Sequence, residues 1–104
     1  TTGGSVSSVD DKARSIPEDI GLEQNYPNPF NPSTNVEFQL SHIAFVSLKI
    51  FDLLGREVAT LVNETQPPGS YVVRWDATSH PSGVYYCRMI AGSVTQTRKM
   101  VLAR

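Results

Sequence analysis

Asp76, Ser79 and His80 are the residues whose types first suggest chemistry, because a carboxylate, a hydroxyl and an imidazole make up a hydrolase triad. A triad works by geometry: the base must reach the nucleophile while the acid orients the base. Three residues within five positions, next to Pro81, rarely supply that geometry from one loop. The better expectation is turn chemistry, with the Asp76 carboxylate accepting nearby backbone N–H groups. Asp52, three residues before Gly55, invites the same reading. His42 and His80 are the only histidines and have no metal-ligand spacing, so no metal or cofactor is expected. Cys87 is alone, which excludes an intramolecular disulfide and a multi-cysteine metal site. No catalytic residue is assigned, and the chain is not expected to be an enzyme. Asn63, Glu64 and Thr65 form a glycosylation sequon at an expected hairpin end.

The elements around these residues read as short strands. Val36, Phe38 and Leu40 alternate with polar residues, and so do Val46, Leu48 and Ile50. Tyr71, Val73 and Trp75, then Tyr85, Cys87 and Met89, repeat the period of two that marks a half-buried strand. Punctuation is equally regular. Asp52–Gly55 is a tight loop, Pro67–Gly69 breaks the chain, and His80–Gly83 offers proline at the second position of a type I turn. Gly92–Ser93 suits a two-residue type II′ hairpin. With Arg56–Val62 as the hairpin partner after Asp52–Gly55, a segment near Leu22–Tyr26 and a last strand over Val94–Leu102, seven strands recur every 8–12 residues or so, the spacing of a β-sandwich. The expected fold is all-β: a seven-stranded antiparallel immunoglobulin-like sandwich with an N-terminal extension. Its expected core holds Val36, Phe38, Leu40, Leu48, Ile50, Leu61, Tyr71, Val73, Trp75, Tyr85 and Met89. Tyr85 stands two residues before Cys87, as the tyrosine of an immunoglobulin tyrosine corner stands before its cysteine.

The 104 residues suit one domain, divided as an extension or linker over 1–20 and a folded unit over 21–104. Net charge is −1, which gives no basis for nucleic-acid binding, and no apolar run is long enough for a membrane span. Without an initiator methionine or a leader, the chain reads as a mature product or a fragment. Charge is unevenly spread. Residues 1–23 carry five acids and two bases, whereas the last seven residues carry Arg98, Lys99 and Arg104 with no acid.

Five segments carry a family resemblance: LEQNYPNPFNPST over 22–34, LKIFDLLG over 48–55, GSYVVRWD over 69–76, GVYY over 83–86 and RKMVL over 98–102. Together they resemble the C-terminal sorting domain of proteins exported by the type IX secretion system. The pattern is also similar to the immunoglobulin-like domain of the flagellar hook-capping protein. The most specific block is Asn25, Tyr26, Pro27, Asn28, Pro29, Phe30, Asn31 and Pro32. The resemblance implies a module at the end of a larger secreted or cell-surface protein, read by outer-membrane export machinery and often cleaved afterwards. Its basic, apolar final strand maps onto Arg98–Leu102, which makes Arg98, Lys99 and Arg104 the expected contacts with that machinery. The expected function is non-catalytic protein–protein recognition, with export machinery or a cell-surface protein as partner. The rival expectation is a homo-oligomeric, structural role: the subunit of an extracellular filament that assembles head to tail through the N-terminal extension. A carbohydrate module with Tyr86 as platform is a third.

Overall fold

The computed structural model describes residues 16–104. Seven strands run in chain order: β1 (Gly21–Leu22), β2 (Ser33–Leu40), β3 (Ala44–Asp52), β4 (Glu57–Gln66), β5 (Gly69–Asp76), β6 (Gly83–Ala91) and β7 (Val94–Leu102). All strand pairings are antiparallel. One sheet has the order β1-β2-β5 and the other β4-β3-β6-β7. Among the described residues there is no helix. This is the expected two-sheet sandwich. In a constant-type immunoglobulin domain the fourth strand stays beside the fifth; here β4 pairs with β3 instead.

Alternation builds the interior. Val36, Phe38 and Leu40 of β2 face Val46, Leu48 and Ile50 of β3, all essentially inaccessible to water. Tyr85, Cys87, Met89 and Ala91 extend the core along β6, and Met100 and Leu102 along β7. Leu22 and Phe30 join from the segment before β2. Three expected core residues differ: Leu61, Tyr71 and Val73 are only half-buried. They lie on β4 and β5, the outermost strands of their two sheets. Neither strand has a partner on its far side, so water reaches residues whose period-two pattern reads as buried.

The turns divide between agreement and correction. The Gly55 N–H donates to the Asp52 carbonyl at 2.9 Å, and Gly55 has a φ of +86°. Ala91 pairs with Val94 across Gly92–Ser93, with only Gly92 at positive φ, as a type II′ turn requires. The β5–β6 turn is displaced from its expected site. The His80 N–H donates to the Ala77 carbonyl at 3.0 Å, so the turn occupies Ala77–His80 and Pro81 follows it. Asp76 explains the shift, because its carboxylate accepts the Thr78 N–H at 3.0 Å and pulls the chain round early.

One device appears twice. Pro67-Pro68-Gly69-Ser70-Tyr71 and Pro81-Ser82-Gly83-Val84-Tyr85 share the pattern P-x-G-x-Y. In each, the tyrosine hydroxyl donates to the proline carbonyl four residues upstream; the Tyr85 bond is 2.6 Å. Tyr85, expected in the core, also bonds back to the chain as a tyrosine corner does, and Tyr71 makes the same kind of bond. Both Gly69 and Gly83 have a φ of +150°, a region that side chains disfavour, at the point where a strand leaves the loop. Nothing lies within 4 Å of a Cβ built at Gly83, so the constraint there is the backbone alone. Gly83→Ala should therefore cost about 1–3 kcal/mol through strain rather than clash. Urea unfolding measures it, and a midpoint unchanged from the parent would remove the constraint.

Residues 1–15 lie outside the described residues. Most of the expected 1–20 extension, and with it the head-to-tail filament contact, falls there. Ile20 packs against the core, and Ile16 is exposed.

Candidate functional site

The proline-rich block and the last strand form one unit. β7 is an edge strand of the four-stranded sheet. An open edge presents unpaired N–H and C=O groups, but here the block covers them over residues 99–103. The Phe30 N–H donates to the Val101 carbonyl at 2.9 Å, and the Ala103 N–H donates to the Phe30 carbonyl at 3.0 Å. The Val101 N–H donates to Asn28 Oδ1 at 3.0 Å, and Gln24 Nε2 donates to the Lys99 carbonyl at 2.7 Å. Further along, Gln96 Oε1 accepts the Leu22 N–H at 2.7 Å.

The block holds its shape through a buried polar knot. Asn25 and Thr34 are the two buried polar residues of the described chain. Asn25 Nδ2 donates to Thr34 Oγ1 at 2.9 Å and to the Pro27 carbonyl at 3.1 Å, while Thr34 Oγ1 donates to that same carbonyl at 2.9 Å. Burying such groups is affordable only because they satisfy one another. Among the described residues no buried side-chain nitrogen or oxygen is left without a partner. The peptide bonds before Pro27, Pro29 and Pro32 are cis. Phe30 turns inward and meets Trp75 with ring centroids 5.7 Å apart. Tyr26, Pro27, Asn31 and Pro32 face solvent, and so does Asn28 beyond its bond to β7.

The three basic residues singled out at the C-terminus have different surroundings. Arg98 Nε donates to the Leu22 carbonyl at 2.8 Å and ties β7 to β1. Arg104 donates to the carbonyls of Ala77, Thr78 and His80 and clasps the β5–β6 turn. Lys99 has no side-chain bond among the described residues and points outward, opposite Tyr86. Nothing in the sequence marks Arg104 as a clasp, because its partners are carbonyls some 25 residues away that only the fold brings near.

The residues that suggested catalysis are not assembled. Asp76 is occupied by Thr78, whose hydroxyl and N–H hold its carboxyl below the usual range. The His80 ring packs beside Trp75 and Tyr85, with centroids 5.4 and 6.2 Å away. Asp52 accepts the N–H groups of Leu54 and Arg56 at 3.0 and 2.9 Å, and the Arg56 backbone bond leads in holding its carboxyl low. No group of three or more potential metal ligands gathers among the described residues. Among them, too, no helix is long and apolar enough to cross a membrane. Asn63 is exposed, but it lies within β4, opposite Ser47, rather than at a hairpin end.

Cys87 is buried, and loss of water pushes its thiol up to about 12 from an ordinary 9.0. The thiolate is the reactive form, so at pH 8 a thiol reagent should leave Cys87 unmodified in the folded chain and label it fully in denaturant. The raised value also fixes a sign. Between about 9 and about 12 the folded state holds a proton that the unfolded state releases, so this group makes stability fall as pH rises through that window. Rapid labelling of the native chain would contradict the buried placement.

These features define an immunoglobulin-like β-sandwich module whose terminal strand is locked by a proline-rich segment. The secretion system C-terminal sorting domain family matches residues 24–103, and the chain belongs to that family. No curated protein matches it. Domains of this family mark proteins that the type IX system exports to the cell surface or the medium, so the secretion machinery is a partner and the destination lies outside the cell. The family is not one of enzymes.

Proposed function

We propose that the chain is a non-catalytic sorting module, recognised by the export machinery as a folded unit through protein–protein contact. The observation that carries this reading is the locking of the family block onto the last strand. Phe30 donates its N–H to the Val101 carbonyl and accepts the Ala103 N–H, Asn28 Oδ1 accepts the Val101 N–H, and Phe30 fills the end of the core. The two most family-like stretches therefore present one rigid surface rather than a loose peptide. Preorganisation of that kind lowers the ordering cost of binding. Arg98 and Arg104 donate to backbone carbonyls that hold this surface together, while Lys99 is the one of the three C-terminal basic residues without such a bond.

The test is a fusion of the full chain behind a reporter, expressed in a bacterium with a type IX system. The reporter should reach the surface or the medium, and it should stay inside a matched strain that lacks the system. A reporter that remains inside both strains would overturn the proposal.

A further inference from the structure

The two outer faces of the sandwich differ in how much apolar surface they carry. A solvent-facing antiparallel sheet ordinarily carries polar residues at its outward positions. The three-stranded sheet mostly follows this, with Asn35, Glu37 and Arg74 exposed on β2 and β5 and Val72, 63% exposed, as its apolar exception. The four-stranded sheet sets larger apolar groups among polar ones such as Ser47, Lys49, Arg88 and Lys99. Its outward positions hold Phe45 and Ile90, 54% and 40% exposed, together with half-buried Phe51 and Tyr86.

Register places cations among these apolar groups. Lys49 stands opposite Arg88, and Phe51 opposite Tyr86. Tyr86 in turn stands opposite Lys99 on β7. Glu57 neutralises Lys49 at 3.3 Å. Arg88 and Lys99 have no ion pair among the described residues. The Arg88 guanidinium lies 4.4 Å above the Phe51 ring, and its N–H donors have no hydrogen-bond partner among the described residues. Beside this face runs an open groove of about 300 Å³, lined by Phe51, Leu53, Tyr86, Arg88 and Thr97 and by Asp52, whose carboxylate is paired with Arg56 at 2.8 Å.

A guanidinium with free edge donors suits a carboxylate, which it can bind with two parallel hydrogen bonds. The groove beside it is of side-chain size and apolar along Phe51, Leu53 and Tyr86. Two unneutralised cations on a chain of net charge −1 are too few for a phosphate backbone. A sugar platform is also a poor match, because Arg88 covers one face of Phe51 and Tyr86 is half-buried. We infer that the outer face of the four-stranded sheet, centred on Arg88, docks an acidic segment of the export machinery that places an apolar side chain in the groove. The inference rests on the sorting function proposed above and names the surface and the chemistry that would carry it.

The experiment uses the full-chain reporter fusion with two sets of variants at exposed positions. Arg88→Glu with Lys99→Glu reverses the docking face, and Lys99→Glu alone spares the contact between Arg88 and Phe51. Glu37→Lys with Arg74→Glu alters the opposite face as a control. Each purified variant is melted to confirm that it folds. Exported reporter should fall by about tenfold or more for the double reversal, fall less for Lys99→Glu, and stay at parental level for the control. Parental export from the folded double variant would overturn the inference and leave the sorting function standing. Failure of the parent fusion to export would overturn both. A dimer of the purified chain that Arg88→Glu dissolves would assign the face to a second copy and equally overturn the inference.

Discussion

Trp75→Ala should lower stability by about 3–5 kcal/mol, the range for removing a large buried aromatic side chain. Trp75 is 4% exposed and sits where three parts of the chain meet. Its own strand, β5, belongs to the three-stranded sheet. Its ring meets Tyr85 of β6, in the other sheet, at 5.4 Å and Phe30 of the proline-rich block at 5.7 Å. The His80 ring closes a further side at 5.4 Å. Alanine would leave a cavity between sheets and block that no single neighbour can fill. For a domain of this size each 1 kcal/mol moves the melting midpoint by about 4–8 °C, so the expected fall is at least about 12 °C. Trp75→Phe, which keeps much of the ring volume, should fall less. A shift of only a few degrees in Trp75→Ala would mean that the indole is not the bridge these distances make it.

Sequence and structure agree where local chemistry decides. Strands β2, β3, β5 and β6 follow from a period of two. Gly55 and Gly92 announce turns because each takes a backbone conformation that other residues avoid. Asp52 and Asp76 act as turn acceptors, as short polar side chains in such places do. Agreement ends where the answer depends on which strand lies beside which. Leu61, Tyr71 and Val73 have the pattern of core residues and sit half-buried, because periodicity reports a face and not whether a neighbour covers it. The polar knot of Asn25 and Thr34 is nine residues across, and its common acceptor is a backbone carbonyl that no residue type advertises. Arg98 and Arg104, expected from the family resemblance as contacts with the export machinery, also bond to carbonyls of distant segments that only the fold brings near. The cation-bearing sheet face was hidden for the same reason. Lys49, Arg88 and Lys99 are far apart in the chain and become neighbours only through strand register.

The last strand gives the other large effect. Deleting Arg98–Arg104 removes Met100 and Leu102, both at most 1% exposed. Losing two buried side chains of that size costs about 2–5 kcal/mol each. Phe30 would also lose the Val101 carbonyl and the Ala103 N–H, leaving a backbone pair next to the core without partners. The sum approaches the whole stability of a domain this size, about 5–15 kcal/mol. The truncated chain should therefore show no cooperative melt and bind a hydrophobic dye at room temperature. Any loss of export on truncation then follows from loss of the fold and says nothing about recognition by a basic tail. Point variants separate the two effects. Lys99→Glu changes an exposed charge and should melt like the parent, so any export defect it has belongs to contact rather than folding. Met100→Ala leaves every charge in place and should weaken the fold by about 2–5 kcal/mol. A truncated chain that still melts cooperatively near the parental midpoint would show that the strand is an appendage, and Arg98–Arg104 would again be a candidate signal read directly by a receptor.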